Sequence, residues 1–211
     1  MATESRLREE ICRIGRSLYD RGLTHGSTGN LSVCTEDGYL MTPTGSSLGT
    51  LDPARLSKLD REGRPLAGDP PTKESFLHIA MYEERPASGA VVHLHSTWST
   101  AVSVLEDVDP ADVLPPLTAY YVMRIGTLPL VPYHAPGDRS LADAVRGFAG
   151  RHHALLLANH GPVVAGSSLA AATDAVEELE ATAKLHLALH GRRCRCLTPE
   201  QVAELRAKFP L

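Results

Sequence analysis

In Val91-Val92-His93-Leu94-His95 two imidazoles stand two residues apart in a β-prone run. The strand period of two puts both on one face, with Val92 and Leu94 on the other, so the pair can share a metal ion. A third imidazole, His160, follows the apolar run Ala154-Leu155-Leu156-Leu157-Ala158 and precedes Gly161-Pro162, a position from which a ligand projects from a sheet end into a cleft. Three neutral imidazoles leave a coordination position open, as catalytic zinc sites do. The chain holds ten histidines, and a lone strand histidine is more often a hydrogen-bonded core or surface residue than a ligand. The spacing of 93 and 95 is what separates this pair from the others. His152 and His153, beside Arg151, read as a solvated end before the apolar strand, and His78, His134, His186 and His190 as structural or surface residues.

A carboxylate near such an ion can act as a base or acid at carbon next to a carbonyl. Glu74 is the candidate: it follows Pro71-Thr72-Lys73 at a predicted helix start. The helix dipole favours a carboxylate there whether or not it does chemistry, and on local sequence alone this structural explanation is the stronger one. Two loops, Gly26-Ser27-Thr28-Gly29-Asn30 and Thr42-Pro43-Thr44-Gly45-Ser46-Ser47, combine glycine with hydroxyl and amide groups. Such loops can cradle a phosphate through backbone N–H groups, although ordinary turns have the same composition. Neither loop matches a nucleotide-binding fingerprint. Lys73 adds a positive charge at the same helix start, or is simply a solvated lysine.

These groups need a scaffold, and the 211 residues, 43% of them hydrophobic, suffice for one core in a single domain, 1–211. Helical spacing predicts helices over Leu7–Tyr19, Lys73–Glu84 with Thr72 as cap, Trp98–Leu105, Leu141–Ala149 and Leu169–His190 with Gly191 as stop. Strands are expected at 31–33, 39–42, 90–94 and 154–158, the last a central one; charged hairpin material is expected over 55–65. A further strand over 128–133 is confined to an edge by Pro129 and Pro132. The irregular mixture argues for helices flanking a mostly antiparallel sheet. A net charge of −4 with no cluster of Lys and Arg argues against nucleic acid as a partner. Apolar runs far short of the roughly 20 residues needed to span a bilayer, and an N-terminus from Met1-Ala2 that leads into an amphipathic segment, predict a cytoplasmic protein with no membrane partner. Cys12, Cys34, Cys194 and Cys196 are scattered and need form no disulfides; the last two lack further ligands for a metal.

Taken in order, Gly26-Ser27-Thr28-Gly29-Asn30, Thr42-Pro43-Thr44-Gly45, Lys73-Glu74, Val92-His93-Leu94-His95 and Asn159-His160-Gly161 resemble the class II aldolase and adducin head-domain family over nearly the whole chain. That resemblance implies a three-layer α/β/α sandwich, one Zn2+ per subunit at His93, His95 and His160, and Glu74 at the position of the catalytic glutamate. It also implies phosphate contacts from Ser27, Asn30, Thr44, Gly45, Thr72 and Lys73, and a homotetramer with sites at subunit interfaces. Within the family, Lys73-Glu74, Tyr120-Tyr121 and Pro132-Tyr133-His134-Ala135-Pro136-Gly137-Asp138 look most similar to the 3-oxo-tetronate 4-phosphate decarboxylase branch. The expectation is therefore a metal-dependent lyase acting on a phosphorylated sugar acid. Thr118, Tyr120 and Tyr121 all stand near the place of the aldolases' catalytic tyrosine. The rivals are an aldolase on a substrate such as fuculose 1-phosphate, a dehydratase of a methylthioribulose phosphate, and a non-catalytic adducin-like interaction module. A cupin barrel fails, because no glutamate follows His95 at the short spacing it needs.

Overall fold

The computed structural model describes residues 3–135 and 137–211, so Met1, Ala2 and Pro136 of the motifs above lie outside the described residues. Successive apolar residues in the strands face opposite ways, and this decides the architecture. Leu31, Leu40, Val92, Leu156 and Val164 join one apolar cluster, whereas Tyr39, Met41, Val91, Leu155 and Val163 join another. A strand buried on both faces reads as a continuous apolar run, because each face needs its own covering layer.

Strands β1 (Asn30–Cys34), β2 (Gly38–Met41), β3 (Ser57–Asp60) and β4 (Pro65–Ala67) form an antiparallel meander. On its other side β1 pairs with β5 (Ala90–His93), which pairs with β8 (Gly161–Gly166), then β7 (Ala154–Leu157) and finally β6 (Leu130–Val131). The order is β4-β3-β2-β1-β5-β8-β7-β6, antiparallel throughout except for β6 with β7. Helices α2 (Ser75–Glu84) and α5 (Ser140–Ala149) bury Leu77, Met81 and Val145 against one face. The other face is covered by α1 (Glu4–Asp20), α3 (Thr97–Ser103), α4 (Ala119–Arg124) and α6 (Leu169–Ala188), through Ile11, Leu18, Val102, Val122, Val176 and Leu179. A last helix, α7 (Pro199–Lys208), starts with a capping box between Thr198 and Gln201 and lays Val202 and Leu205 on that same cluster. This is the expected α/β/α sandwich around a mostly antiparallel sheet.

Several expectations need correction. The run 154–157 lies next to the edge strand, not at the centre; its apolarity comes from facing both helical layers, Leu155 one way and Leu156 the other. Its neighbour β8 was not foreseen, because Gly161-Pro162 reads as a breaker; here the proline stands second in the strand. Helices α4 and α7 were also unforeseen, the first being only six residues long. The second core helix begins at Ser75, two residues later than the expected start at Lys73, and its cap is Glu74, not Thr72. His153 is not a solvated end: its Nδ1–H donates to the Ala165 carbonyl at 3.0 Å, and its Nε2 is buried. The edge position of β6 and the free state of all four cysteines agree with expectation.

Backbones come closest where β8 begins. A Cβ on Gly161 would lie 2.2 Å from the carbonyl oxygen of Leu94, so no side chain fits between His95 and His160. Gly161→Ala is expected to cost about 1–3 kcal/mol, the usual range for overpacking, read as a lower urea midpoint. An unchanged midpoint would mean that the 94–95 backbone gives way freely.

Candidate metal centre and active site

The last residue of β5 is His93, paired across the sheet with Asn30 on one side and Val163 on the other. Its side chain is fully buried, and its Nδ1–H donates to the Pro162 carbonyl at 2.8 Å. That bond fixes the tautomer and leaves the Nε2 lone pair facing the cavity side. Two residues on, past the strand end, His95 projects from the same side, as the spacing predicts. The third imidazole, His160, sits in the turn between β7 and β8. There Asn159 adopts the left-handed conformation (φ 56°), and α3 grips the turn: Thr100 Oγ1–H donates to the His160 carbonyl at 2.9 Å, and Asn159 N–H donates to Ser103.

The three Nε2 atoms converge. His160 Nε2 lies 3.0 Å from that of His95 and 3.3 Å from that of His93. Glu74 closes the set, with Oε1 3.2 Å from His160 Nε2 and Oε2 3.4 Å from His93 Nε2. One ligand atom from each of the four residues lies within 4.8 Å of all the others. With His93 Nε2 an acceptor, a single proton on His160 can relieve one of its two imidazole contacts but not both. A cation relieves all of them at once, so the donor set fits a divalent metal, with imidazole and carboxylate ligands of the kind zinc takes.

Electrostatics agrees. Burial pushes His93 down to about 4, and Glu74 only partly offsets this; burial with the nearby His160 pushes His95 down to about 4. Both are neutral at pH 7, as metal ligands must be. Burial alone pushes the Glu74 carboxyl up, but His93, the hydrogen bonds from His160 and Asn30, and the charge of His160 outweigh it, so the group lies well below its usual range and is ionised.

Glu74 is the N-cap residue of α2 and not part of its first turn, and its side chain makes no capping bond. The dipole explanation therefore gives way: the carboxylate turns back towards the histidines and accepts from Asn30 Nδ2–H at 2.7 Å. Thr72 Oγ1 accepts from Glu74 N–H at 3.3 Å, which tightens the turn before the helix.

Above the cluster opens a cavity of about 790 Å³, lined by His95, His160 and Glu74 together with Ser27, Asn30, Thr44, Gly45, Thr72 and Lys73. All the predicted phosphate-contact residues thus meet in one place. Gly29 and Gly45 hold left-handed φ values of 76° and 69°, which give both loops their sharp turns. Thr28 and Ser46 N–H groups are spent within the loops, whereas those of Ser27, Gly29 and Gly45 have no protein acceptor among the described residues. Lys73 is the one Lys or Arg among the described lining residues. Asn30 differs from the expectation in part, because its amide is already engaged by Glu74 and His78.

The lining also includes Tyr133, His134 and Asn159, which residue-by-residue reading missed; Tyr133 and His134 stood only inside the 132–138 motif, and His134 by itself reads as a structural or surface residue. Thr118, Tyr120 and Tyr121 are not among the described lining residues. Thr118 Oγ1 caps α4 by accepting from Tyr121 N–H, Tyr121 is buried, and Tyr120 is 60% exposed.

Residues 9–187 match the family described as class II aldolase and adducin N-terminal domain. The chain belongs to that family. The 3-oxo-tetronate 4-phosphate decarboxylase of Escherichia coli (strain K12) is 53% identical to it over 205 residues, 97% of each chain. A crystal structure of YgbL from Escherichia coli has a TM-score of 0.94 and 52% identity, covering 96% of this chain and 99% of that one. A solved L-fuculose 1-phosphate aldolase has a TM-score of 0.87 at 27% identity, covering 100% and 99%. Family membership thus stands beside a cluster of three histidines and a glutamate that could hold a metal ion.

These imidazoles make the metal-free protein sensitive to acid. His93 and His95 titrate near 4 in the fold, and burial takes His78 to about 3, against an ordinary 6.5. The unfolded chain therefore takes up protons first, and stability present above pH 6.5 is lost as pH falls towards 4. Urea midpoints with chelator at pH 7.5, 6 and 5 should fall in that order; a flat series would contradict the burial of neutral imidazoles.

Proposed function

We propose that this chain is a metal-dependent lyase that decarboxylates 3-oxo-tetronate 4-phosphate to dihydroxyacetone phosphate and carbon dioxide. The observation that carries this reading is its 53% identity, over 97% of both chains, to a protein of that name. The cluster at the base of the cavity supports it chemically.

In a 3-oxo acid the bond between C1 and C2 breaks with its electron pair moving towards the 3-oxo oxygen. The leaving group is carbon dioxide, and an enediolate remains until C2 takes a proton. His93, His95 and His160, with Glu74 beside them, would hold the ion. A divalent cation bound there, zinc by the three-imidazole donor set with an open position, supplies Lewis-acid stabilisation of the oxygen charge, worth several kcal/mol.

The chain's own groups do the rest. Glu74 starts ionised, so it can deliver a proton to C2 only after taking one from a substrate hydroxyl or from water entering by the cavity mouth. The backbone donors at 27, 29 and 45, the hydroxyls of Ser27, Thr44 and Thr72 and the Lys73 ammonium take the phosphate, with Asn30 given over to Glu74. Held at that end, the substrate presents its carbon chain to the histidines, and binding energy from the non-reacting part becomes orientation.

The likeness to L-fuculose 1-phosphate aldolase favours a second reading, cleavage of a sugar phosphate with an aldehyde as leaving group. Both reactions pass through the same kind of enediolate, so one constellation can serve either. An adducin-like module without catalysis has no use for four converging ligand groups. We infer a homotetramer from the family resemblance; a solution mass of four chains checks it. No helix among the described residues is long and apolar enough to cross a membrane, and a phosphorylated substrate suits a cytoplasmic enzyme.

Incubation with 3-oxo-tetronate 4-phosphate should release carbon dioxide and dihydroxyacetone phosphate, and a chelator should abolish both. Aldehyde release from fuculose 1-phosphate, with no carbon dioxide from the tetronate, would move the assignment to the aldolase. Glu74→Gln should lower kcat by about a hundredfold or more, the scale of general acid–base catalysis, while bound metal is retained. His160→Ala should lose metal and activity together; equal metal loss in both variants would make Glu74 chiefly a ligand.

A further inference from the structure

Behind the candidate site, β1 and α2 meet through polar groups inside an otherwise apolar interface. The strand period puts Asn30 and Ser32 on one face, and the helical repeat of four aligns Glu74, His78 and Tyr82. The two rows interdigitate like a ladder. Tyr82 OH lies 2.9 Å from Ser32 Oγ, which lies 2.7 Å from His78 Nδ1; His78 Nε2 bonds Asn30 Oδ1, and Asn30 Nδ2–H donates to Glu74 Oε2 at 2.7 Å. Ser32 and His78 are fully buried, Asn30 and Tyr82 nearly so.

Burial makes each direction compulsory. The Asn30 carbonyl cannot face the Glu74 carboxylate, since two acceptors would oppose each other. The amide nitrogen therefore faces Glu74, and the carbonyl needs a donor behind it. His78 supplies one only as the Nε2–H tautomer, which leaves Nδ1 to accept from Ser32 Oγ–H and Ser32 to accept from Tyr82. Burial keeps this imidazole neutral, its value pushed down to about 3. A fully satisfied buried network of this kind specifies one arrangement where an apolar contact would leave Asn30 free to turn over.

We propose that His78 is a positioning residue for Glu74: locked by Ser32 and Tyr82 as its Nε2–H tautomer, it fixes which way the Asn30 amide points and so holds the carboxylate against the histidine cluster. This rests on the reading of Glu74 as the proton carrier, and it extends the functional assembly from the cavity to the far end of α2.

The test uses the metal-loaded full chain. His78→Met, which has no donor, should lower kcat by about ten- to a hundredfold, the cost of a small misplacement at the reacting centre, with KM and bound metal per chain unchanged. His78→Gln keeps a donor and an acceptor and should recover most of that loss. Nitrogen NMR of the wild-type holoenzyme should find His78 protonated at Nε2 and bare at Nδ1. Equal activity of the Met and Gln variants, or an Nδ1–H tautomer, would overturn the proposal. Should His78→Met not fold, Ser32→Ala decides: a fall in kcat at constant KM supports the ladder, and wild-type kcat sinks it. If the wild-type enzyme releases no carbon dioxide from the tetronate, the functional reading fails, while the tautomer still decides the ladder.

Discussion

Three imidazole nitrogens brought together beside a carboxylate, that of His160 lying 3.0 and 3.3 Å from the other two, are a costly arrangement for a folded chain to hold. Lone pairs face one another, the carboxylate must stay partly out of water, and the hydrogen bond from His160 to Glu74 offsets only part of this cost. The surrounding structure has to supply the restraint. It comes from three separate elements: the end of β5, the β7–β8 turn gripped by α3, and the cap of α2. Each is anchored in a sheet whose two faces are both sealed by helices. A site built on rigid elements with its outer hydrogen bonds satisfied is the arrangement that preorganisation requires.

The same constraint explains what was legible in the sequence. His93 and His95 were recognisable because strand periodicity is geometrically strict, and His160 because an apolar strand ending in His-Gly-Pro projects its next side chain into a cleft. Glu74 was ambiguous for a physical reason: a carboxylate at a helix start is stabilised there in any protein, and only the fold shows that it turns away from the helix to face the cluster. His78 passed as an ordinary histidine because its partners lie 46 and 48 residues away in sequence. In retrospect Glu74, His78 and Tyr82 at intervals of four, opposite Asn30 and Ser32 at an interval of two, is a pattern, but only once β1 and α2 are known to be neighbours.

Fold errors have a similar origin. Glycine and proline at 161 and 162 argue locally for a break, yet here they open a strand. The glycine is needed because its neighbour's backbone leaves no room for a Cβ. The proline needs no N–H at that point, while its carbonyl serves both the Leu94 N–H and the His93 ring. One peptide thus joins β5 to β8 and sets a ligand's tautomer. Local propensity is overridden where tertiary contacts at a functional site demand it.

What separates a decarboxylase from an aldolase on this scaffold cannot be the electron sink, because both reactions place charge on an oxygen next to the same constellation. The distinction must lie in what the cavity does with the group that leaves. An aldehyde leaves only as a base takes the proton from its hydroxyl, whereas carbon dioxide departs from an already ionised carboxylate and needs no such base. Tyr133 and His134 line the same cavity as the cluster and carry groups that exchange protons, so the choice of leaving group can turn on them.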